Sequence, residues 1–290
     1  MKLSVALRLG RISNIPTVWS NTLAGVVIAG GEAWRVTTLL TAIGISLLYI
    51  SGMYLNDAFD SDFDARERPE RPIPAGLASQ STVFATGFGL MLVGLGFILW
   101  ASSAGVLKDS WRPVLLSLLL AATVLFYNWH HKGNPISPIV MGLCRALIYV
   151  VAGYTVAETP SPDVFIIAFT TFCYLIGLTF AAKQETLIRF DSLWPLALLA
   201  APLIYGLFVI AGGGVLSLLV FAALIILIAV SLHFLRRRMK GGIGKAIVCL
   251  IAGISLADAL YLSSASSSAT AAALICFVAT LAMQRWIKGT

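Results

Sequence analysis

The chain reads as long apolar runs separated by short polar breaks. Ten runs stand out, over 15–32, 37–57, 81–103, 112–129, 135–157, 163–182, 193–211, 215–235, 243–262 and 268–287. One bilayer crossing needs roughly 20 predominantly apolar residues, and these runs approach or meet that length. They are apolar on every face rather than along one stripe, as membrane helices are. Nothing alternates as barrel strands do. The pattern predicts an all-α fold, a polytopic membrane bundle of nine to ten transmembrane helices, the lower count arising if two late runs merge. The runs leave no room for a soluble unit, so residues 1–290 read as a single integral-membrane domain.

Composition agrees, at 59% hydrophobic and 11% charged residues. Soluble domains run near 45–50% apolar and about 25% charged, and disordered chains need the opposite balance. The net charge of +7 does not point to nucleic acid, because the basic residues form no single polar face. Cys144, Cys173, Cys249 and Cys276 all fall inside apolar runs with no CxxC pair, and read as small buried hydrophobes. The N-terminus carries Lys2, Arg8 and Arg11 before an apolar stretch, but no small-residue cleavage site stands out, so it reads as the lead-in to an uncleaved first helix.

Charge also sorts the loops. With ten spans, 16 of the 20 lysines and arginines fall on the side of the N-terminus. Only Arg35, Lys108 and Arg112 fall on the other, and Arg145 lies within a span. The positive-inside rule then predicts that the N-terminus and its loops face the cytoplasm; the chain is expected in a cell's inner membrane, with an archaeal or organellar membrane left open. Asp57, Asp60, Asp62, Asp64, Glu67, Glu70, Glu185 and Asp191 lie on that same side, at the ends of the second and sixth runs. Function is expected there.

The second run leads directly into Asn56-Asp57-Ala58-Phe59-Asp60-Ser61-Asp62-Phe63-Asp64. If the helix continues, Asn56, Asp60 and Asp64 share one face, drifting about 40° per step. Asp57 sits at its edge, about 100° from Asn56, while Asp62 points away at about 200° from Asp60. Carboxylates this close repel strongly near a low-dielectric boundary. A divalent cation removes that cost. Oxygen-only ligands suit Mg²⁺, which takes one or two carboxylates plus substrate phosphates and waters. Pro69, Pro72 and Pro74 are expected to end the helix and hold the chain extended. Arg66, Arg68 and Arg71 on that strap match phosphate oxygens. A solvated loop with positive-inside arginines explains the basic residues but not the aspartates. An EF-hand fails at Ala65, where it needs Gly, and at Arg71, where it needs Glu.

Asn56-Asp57-x-x-Asp60-x-x-x-Asp64 resembles the first Asp-rich motif, NDxxDxxxD, of the UbiA superfamily of intramembrane prenyltransferases. Arg68-Pro69-x-Arg71-Pro72-Ile73-Pro74-x-Gly76 is similar to the RPxRPIPxG run of its chlorophyll-synthase and archaeal-lipid branches. The resemblance implies helices around a central cavity, with Mg²⁺ and a prenyl diphosphate near one membrane face. It implies an enzyme that transfers the prenyl group to an aromatic or lipophilic acceptor within the bilayer. Asp60, Asp64 and Lys132 are the implied catalytic residues, with Asn56 and Asp57 completing the metal set. Tyr127 and Lys132 in Tyr127-Asn128-Trp129-His130-His131-Lys132 resemble the family's Tyr…Lys element beside the diphosphate, and Asn21 resembles an Asn near the substrate cavity. Arg145, a charge within a span, is expected to face a cavity or a partner, and is placed with the substrate-binding residues. Asp258 is read as paired with a polar neighbour, and His130, His131 and His233 as interfacial.

The family's second motif, of DxxxD type, follows the sixth span. Here that segment runs Lys183-Gln184-Glu185-Thr186-Leu187-Ile188-Arg189-Phe190-Asp191. Glu185 and Asp191 are the candidate ligands for a second Mg²⁺, but lie about 240° apart on a helix and form no single helical clamp. Lys183 is a candidate replacement charge facing the diphosphate. This thinner motif also fits a second reading, a UbiA-like protein that binds or moves an isoprenoid without standard catalysis. A secondary transporter is disfavoured, since neither inverted repeats nor broken midplane helices stand out.

Overall fold

The structure, a computed structural model, describes residues 1–104, 111–183, 194–237 and 241–287. Among these the regular elements are all helical. A short helix α1 (Leu3–Leu9) precedes α2 (Ile15–Ile28), α3 (Val36–Phe59), α4 (Ser61–Glu67) and α5 (Gln80–Ala104). Then follow α6 (Arg112–His130), α7 (Ser137–Tyr154), α8 (Pro162–Lys183), α9 (Ala201–Gly212), α10 (Val215–Arg237), α11 (Gly242–Leu262) and α12 (Ser267–Met283). A 3₁₀ stretch, Trp194–Ala200, runs into α9.

Each of the ten apolar runs carries a helix. Among the described residues eight of these segments are long and apolar enough to cross a membrane, one of them the 3₁₀ stretch and α9 taken together as Trp194–Gly212. The first and last are shorter, α2 with 14 residues and α12 with 17. At about 1.5 Å per residue, 14 residues fall well short of a ~30 Å hydrocarbon core. The run at 15–32 outlasts its helix because Gly30, at φ 88°, turns the chain after Ile28. Lys2 to Arg11 do not extend this helix. They form α1, whose Val5 and Leu9 pack on Tyr54 and Ala58 of α3, and a left-handed turn at Arg11 (φ 42°) leads into α2.

Two apolar cores divide the bundle. One joins α3, α5 and α6; the other joins α8 to α12. Helices α2 and α7 contribute to both and form the seam between them. They approach closely at Gly25, where an added Cβ would lie 2.6 Å from the Tyr149 carbonyl oxygen and 2.9 Å from Ala152 Cβ. Small residues permit such contacts in membrane helix pairs. Gly25→Ala should therefore destabilise the bundle by about 1–3 kcal/mol through overpacking, read as a lower thermal midpoint in detergent. An unchanged midpoint would mean that α2 and α7 separate freely.

Candidate active site

The end of α3 does not run straight on. Asp60 is both the C-cap of α3 and the N-cap of α4. The main-chain bonds nevertheless keep helical spacing, from Asp60 N to Asn56 O, Asp64 N to Asp60 O and Arg68 N to Asp64 O. That spacing buries Asn56, Asp57, Asp60 and Asp64 together and leaves Asp62 exposed. The proline segment departs from expectation. It is not extended but folds back in tight turns, with Ala75 N bonded to Arg71 O and Leu77 N to Pro72 O. Proline's fixed φ suits turn positions as well as extended ones, and Gly76 at φ 70° closes the turn.

This fold-back carries Arg71 into the acidic cluster. Its Nη1 lies 2.9 Å from Asp57 Oδ1 and 3.2 Å from Asp64 Oδ2. Arg66 and Arg68 remain exposed on the loop, and Arg66 bonds only the Asp62 carbonyl among the described residues. Two contacts with nitrogen-bearing side chains have no counterpart in the sequence reading. Arg11 Nη2 donates to Asn56 Oδ1 at 3.2 Å and to Asp57 Oδ1 at 3.4 Å. His131 Nε2 lies 3.3 Å from Asp60 Oδ2, beside Lys132 Nζ at 3.1 Å from the same oxygen. His131 is thus part of the cluster rather than only interfacial. Its place follows from helix spacing, since His131 is four residues beyond Tyr127, stacks on that ring at 4.8 Å and contacts its carbonyl oxygen. Lys132 also sits over the Phe63 ring at 3.8 Å.

The two central carboxylates are tuned apart. Burial works to raise Asp60, but the hydrogen bond and charge of His131 and the charge of Lys132 outweigh it and hold this group below the usual carboxylate range. Asp64 goes the other way. Burial pushes it up, and the Asp60 and Asp57 charges add to that, against Arg71 and Lys132.

Among the described residues no three His, Cys, Asp or Glu side chains converge as a metal cluster. The side chains of Arg11, Arg71 and Lys132, with the His131 imidazole, lie among the acids instead. The donor chemistry still suits Mg²⁺, since it is all oxygen. One atom is left over: Asp64 Oδ1 is buried with no hydrogen-bond partner. A buried carboxylate oxygen in that state needs a cation or a donor.

Below the cluster, between α3, α6 and α7, lies a mostly apolar cavity. Asn128 joins the two regions, because it lines the cavity, accepts from Asn56 Nδ2 at 3.3 Å and donates to the Gly52 carbonyl at 2.9 Å. Tyr127 and Arg145 are also in the cavity wall. Asn21 is fully buried and bonded to Arg145, Tyr149 and Asp258, so it reaches the cavity through Arg145 rather than lining it. Asp258 does pair with polar neighbours, including Ser20 and Tyr149. Lys183 Nζ donates to Ser137 Oγ at 2.6 Å at the start of α7. Glu185 and Asp191 lie outside the described residues.

The chain is 29% identical over 165 residues to the digeranylgeranylglyceryl phosphate synthase of Methanopyrus kandleri, covering 56% of this chain and 58% of that one. It is 28% identical over 187 residues to the chloroplastic chlorophyll synthase of Oryza sativa, covering 59% and 46%. The chain thus spans about half the length of the curated relatives it matches. A solved structure of a UbiA homolog from Aeropyrum pernix superposes with a TM-score of 0.61 at 16% identity, over 83% of this chain and 94% of that one. A solved digeranylgeranylglyceryl phosphate synthase superposes with the same TM-score of 0.61 at 18% identity, over 91% and 98%. At such identities the likeness speaks to the fold. The UbiA prenyltransferase family model matches residues 18–245, and the chain is a member of that family.

Proposed function

We propose that this protein is a Mg²⁺-dependent prenyltransferase that moves an isoprenoid group from its diphosphate to a lipophilic or aromatic acceptor inside the membrane. The observation that carries this reading is the buried set Asn56, Asp57, Asp60 and Asp64 with one unpartnered carboxylate oxygen, placed directly above an apolar cavity. The named relatives, both synthases of prenylated lipids or pigments, support the same class.

Asn56, Asp57, Asp60 and Asp64 would hold the metal, and on sequence grounds Glu185 and Asp191 add ligands from the segment after α8. A bound Mg²⁺ neutralises charge on a leaving diphosphate. The chain's own groups do the rest. Lys132, already at the cluster, meets the diphosphate as a point charge and stabilises the negative charge that grows there. Arg71 adds a second fixed cation at the cluster, and Lys183 lends charge from the end of α8, with its Nζ on Ser137. Arg66 and Arg68, exposed, draw the anion in as a long-range field. The cavity takes the prenyl tail and keeps water from the allylic centre while the acceptor attacks. Tyr127, in the cavity wall and stacked on His131, serves the diphosphate end, and Asn21 and Arg145 shape the acceptor side. The bias of positive charge supports a cytoplasmic side for the cluster, in an inner membrane.

The test is a proteoliposome assay with labelled prenyl diphosphates of several lengths and a panel of aromatic and lipid acceptors. Product is expected with Mg²⁺, and chelation should reduce it to background. Tight diphosphate binding with no turnover for any acceptor overturns the transferase reading in favour of non-catalytic binding.

A further inference from the structure

A polar network on α2, α7 and α11 lies outside the acidic cluster. Asp258 of α11 is fully buried. Its Oδ2 accepts from Ser20 Oγ at 2.6 Å and Asn21 Nδ2 at 2.7 Å, and its Oδ1 accepts from Tyr149 Oη at 2.6 Å. Asn21 Nδ2 also donates to Tyr149 Oη at 2.7 Å, while its Oδ1 accepts from Arg145 Nη1 at 2.9 Å. One amide therefore stands between an intramembrane carboxylate and an intramembrane guanidinium. Flipping it would set NH₂ against the cation and oxygen against the anion, so both neighbours lock its orientation.

Two charges placed this deep for stability alone would be expected to meet directly, because each is costly when unpaired. They do not: among the described residues Arg145 makes no direct ion pair. Both of its hydrogen bonds there, to Asn21 and to Thr17 Oγ1 at 3.3 Å, use Nη1. The rest of the fork has no hydrogen-bond partner among the described residues. Among the described residues Arg145 is also the only charged one in the cavity wall, with its guanidinium carbon 5.9 Å from the Tyr49 ring centroid. A fork with spare parallel N–H groups in an apolar cavity matches an oxyanion on an otherwise apolar molecule.

We infer that Asp258 is a positioning residue which, through Asn21, holds Arg145 towards the cavity, and that Arg145 there binds the oxyanion head of the acceptor. Calling that molecule the acceptor rests on the transferase reading; the anion site itself does not.

Cys144 lines the same cavity beside Arg145 and supplies a readout independent of turnover. In the full chain carrying Cys173→Ala, Cys249→Ala and Cys276→Ala, Cys144 is modified with two methanethiosulfonates, one bearing a sulfonate and one a trimethylammonium. The sulfonate is expected to react at least about tenfold faster relative to its rate with free thiol. Arg145→Gln should abolish that preference. Asn21→Ala, which keeps both charges, should bring it close to one. Asp258→Asn separates the two roles by sign. Lost positioning lowers the preference, whereas a guanidinium held without Asp258 would show a higher one, since the opposing charge has gone. A preference that persists in Asn21→Ala, or rises in Asp258→Asn, overturns the inference. If Asp258→Asn does not purify as a folded protein, Tyr149→Phe removes a bond to Asp258 without touching either charge, and the preference should fall there too. In the transfer assay, Arg145→Gln should raise KM for acidic acceptors several-fold more than for neutral ones of the same size. Charge-selective labelling with no transfer to any acceptor would sink the transferase reading alone.

Discussion

Asp64→Ala is expected to cut prenyl transfer by at least about 100-fold, because it would remove a ligand of the cation that neutralises the leaving diphosphate. Asp60→Ala should behave alike, and Asp62→Ala should stay near the parent rate. All three aspartates lie within five residues, so net charge and the positive-inside balance change equally in each variant. Only placement differs. Asp60 and Asp64 are buried beside Lys132 and Arg71, and Asp64 keeps one oxygen without a partner. Asp62 is exposed, and its carbonyl, not its carboxylate, meets Arg66. Initial rates at saturating diphosphate and acceptor give the comparison, with a monodisperse profile in detergent as the control for folding. Equal damage from Asp62→Ala would show that the helical face through Asn56, Asp60 and Asp64 is not the functional one.

That face was legible before any coordinates because a period of 3.6 residues survives the kink at Asp60. The main-chain bonds at Asn56, Asp60 and Asp64 carry the spacing through it. The ten helical runs were legible for a related reason, since a bilayer demands apolar length and little else. What the sequence hid depends on tertiary contact. Arg11 is 45 residues from Asn56, and only the packing of α1 on α3, followed by the turn at Arg11, brings it to the acids. His131 reads as one of two adjacent histidines at a helix end; the register of α6 against α3 decides which one meets Asp60. The proline segment misleads by itself, because a proline φ is shared by extended chain and by turns. Its direction is set by where Arg71 finds carboxylates. Arg145 and Asp258 were each visible as intramembrane charges, but the amide linking them comes from a third helix far away in sequence.

Arg71→Ala should destabilise the protein in the presence of chelator and make it more responsive to Mg²⁺. Arg71 Nη1 bridges Asp57 and Asp64, and both acids are nearly inaccessible. Without it, Asp57 retains Arg11 at 3.4 Å, and Asp64 keeps no side-chain partner among the described residues. Breaking a buried pair by removing one partner costs about 3–5 kcal/mol because a charge is left uncompensated. Asp64 can shed part of that cost by binding a proton, so the lower end, about 3 kcal/mol, is expected. A divalent cation can take the place left between the two carboxylates. Binding only to the folded protein at about 100 times its Kd contributes about 2.7 kcal/mol, so Mg²⁺ should restore most of the lost midpoint. The same Mg²⁺ concentration should move the parent protein less, because Arg71 already neutralises the pair there. Thermal midpoints in detergent, measured for both proteins with chelator and then across a Mg²⁺ series with Ca²⁺ as a size control, read both effects. Equal Mg²⁺ shifts in parent and variant would mean that Asp57 and Asp64 do not share the cation, and the metal set would contract to Asn56 and Asp60. Losing transfer in Arg71→Ala even where Mg²⁺ restores the midpoint would assign the guanidinium to the diphosphate itself, since stability and chemistry would then have separated.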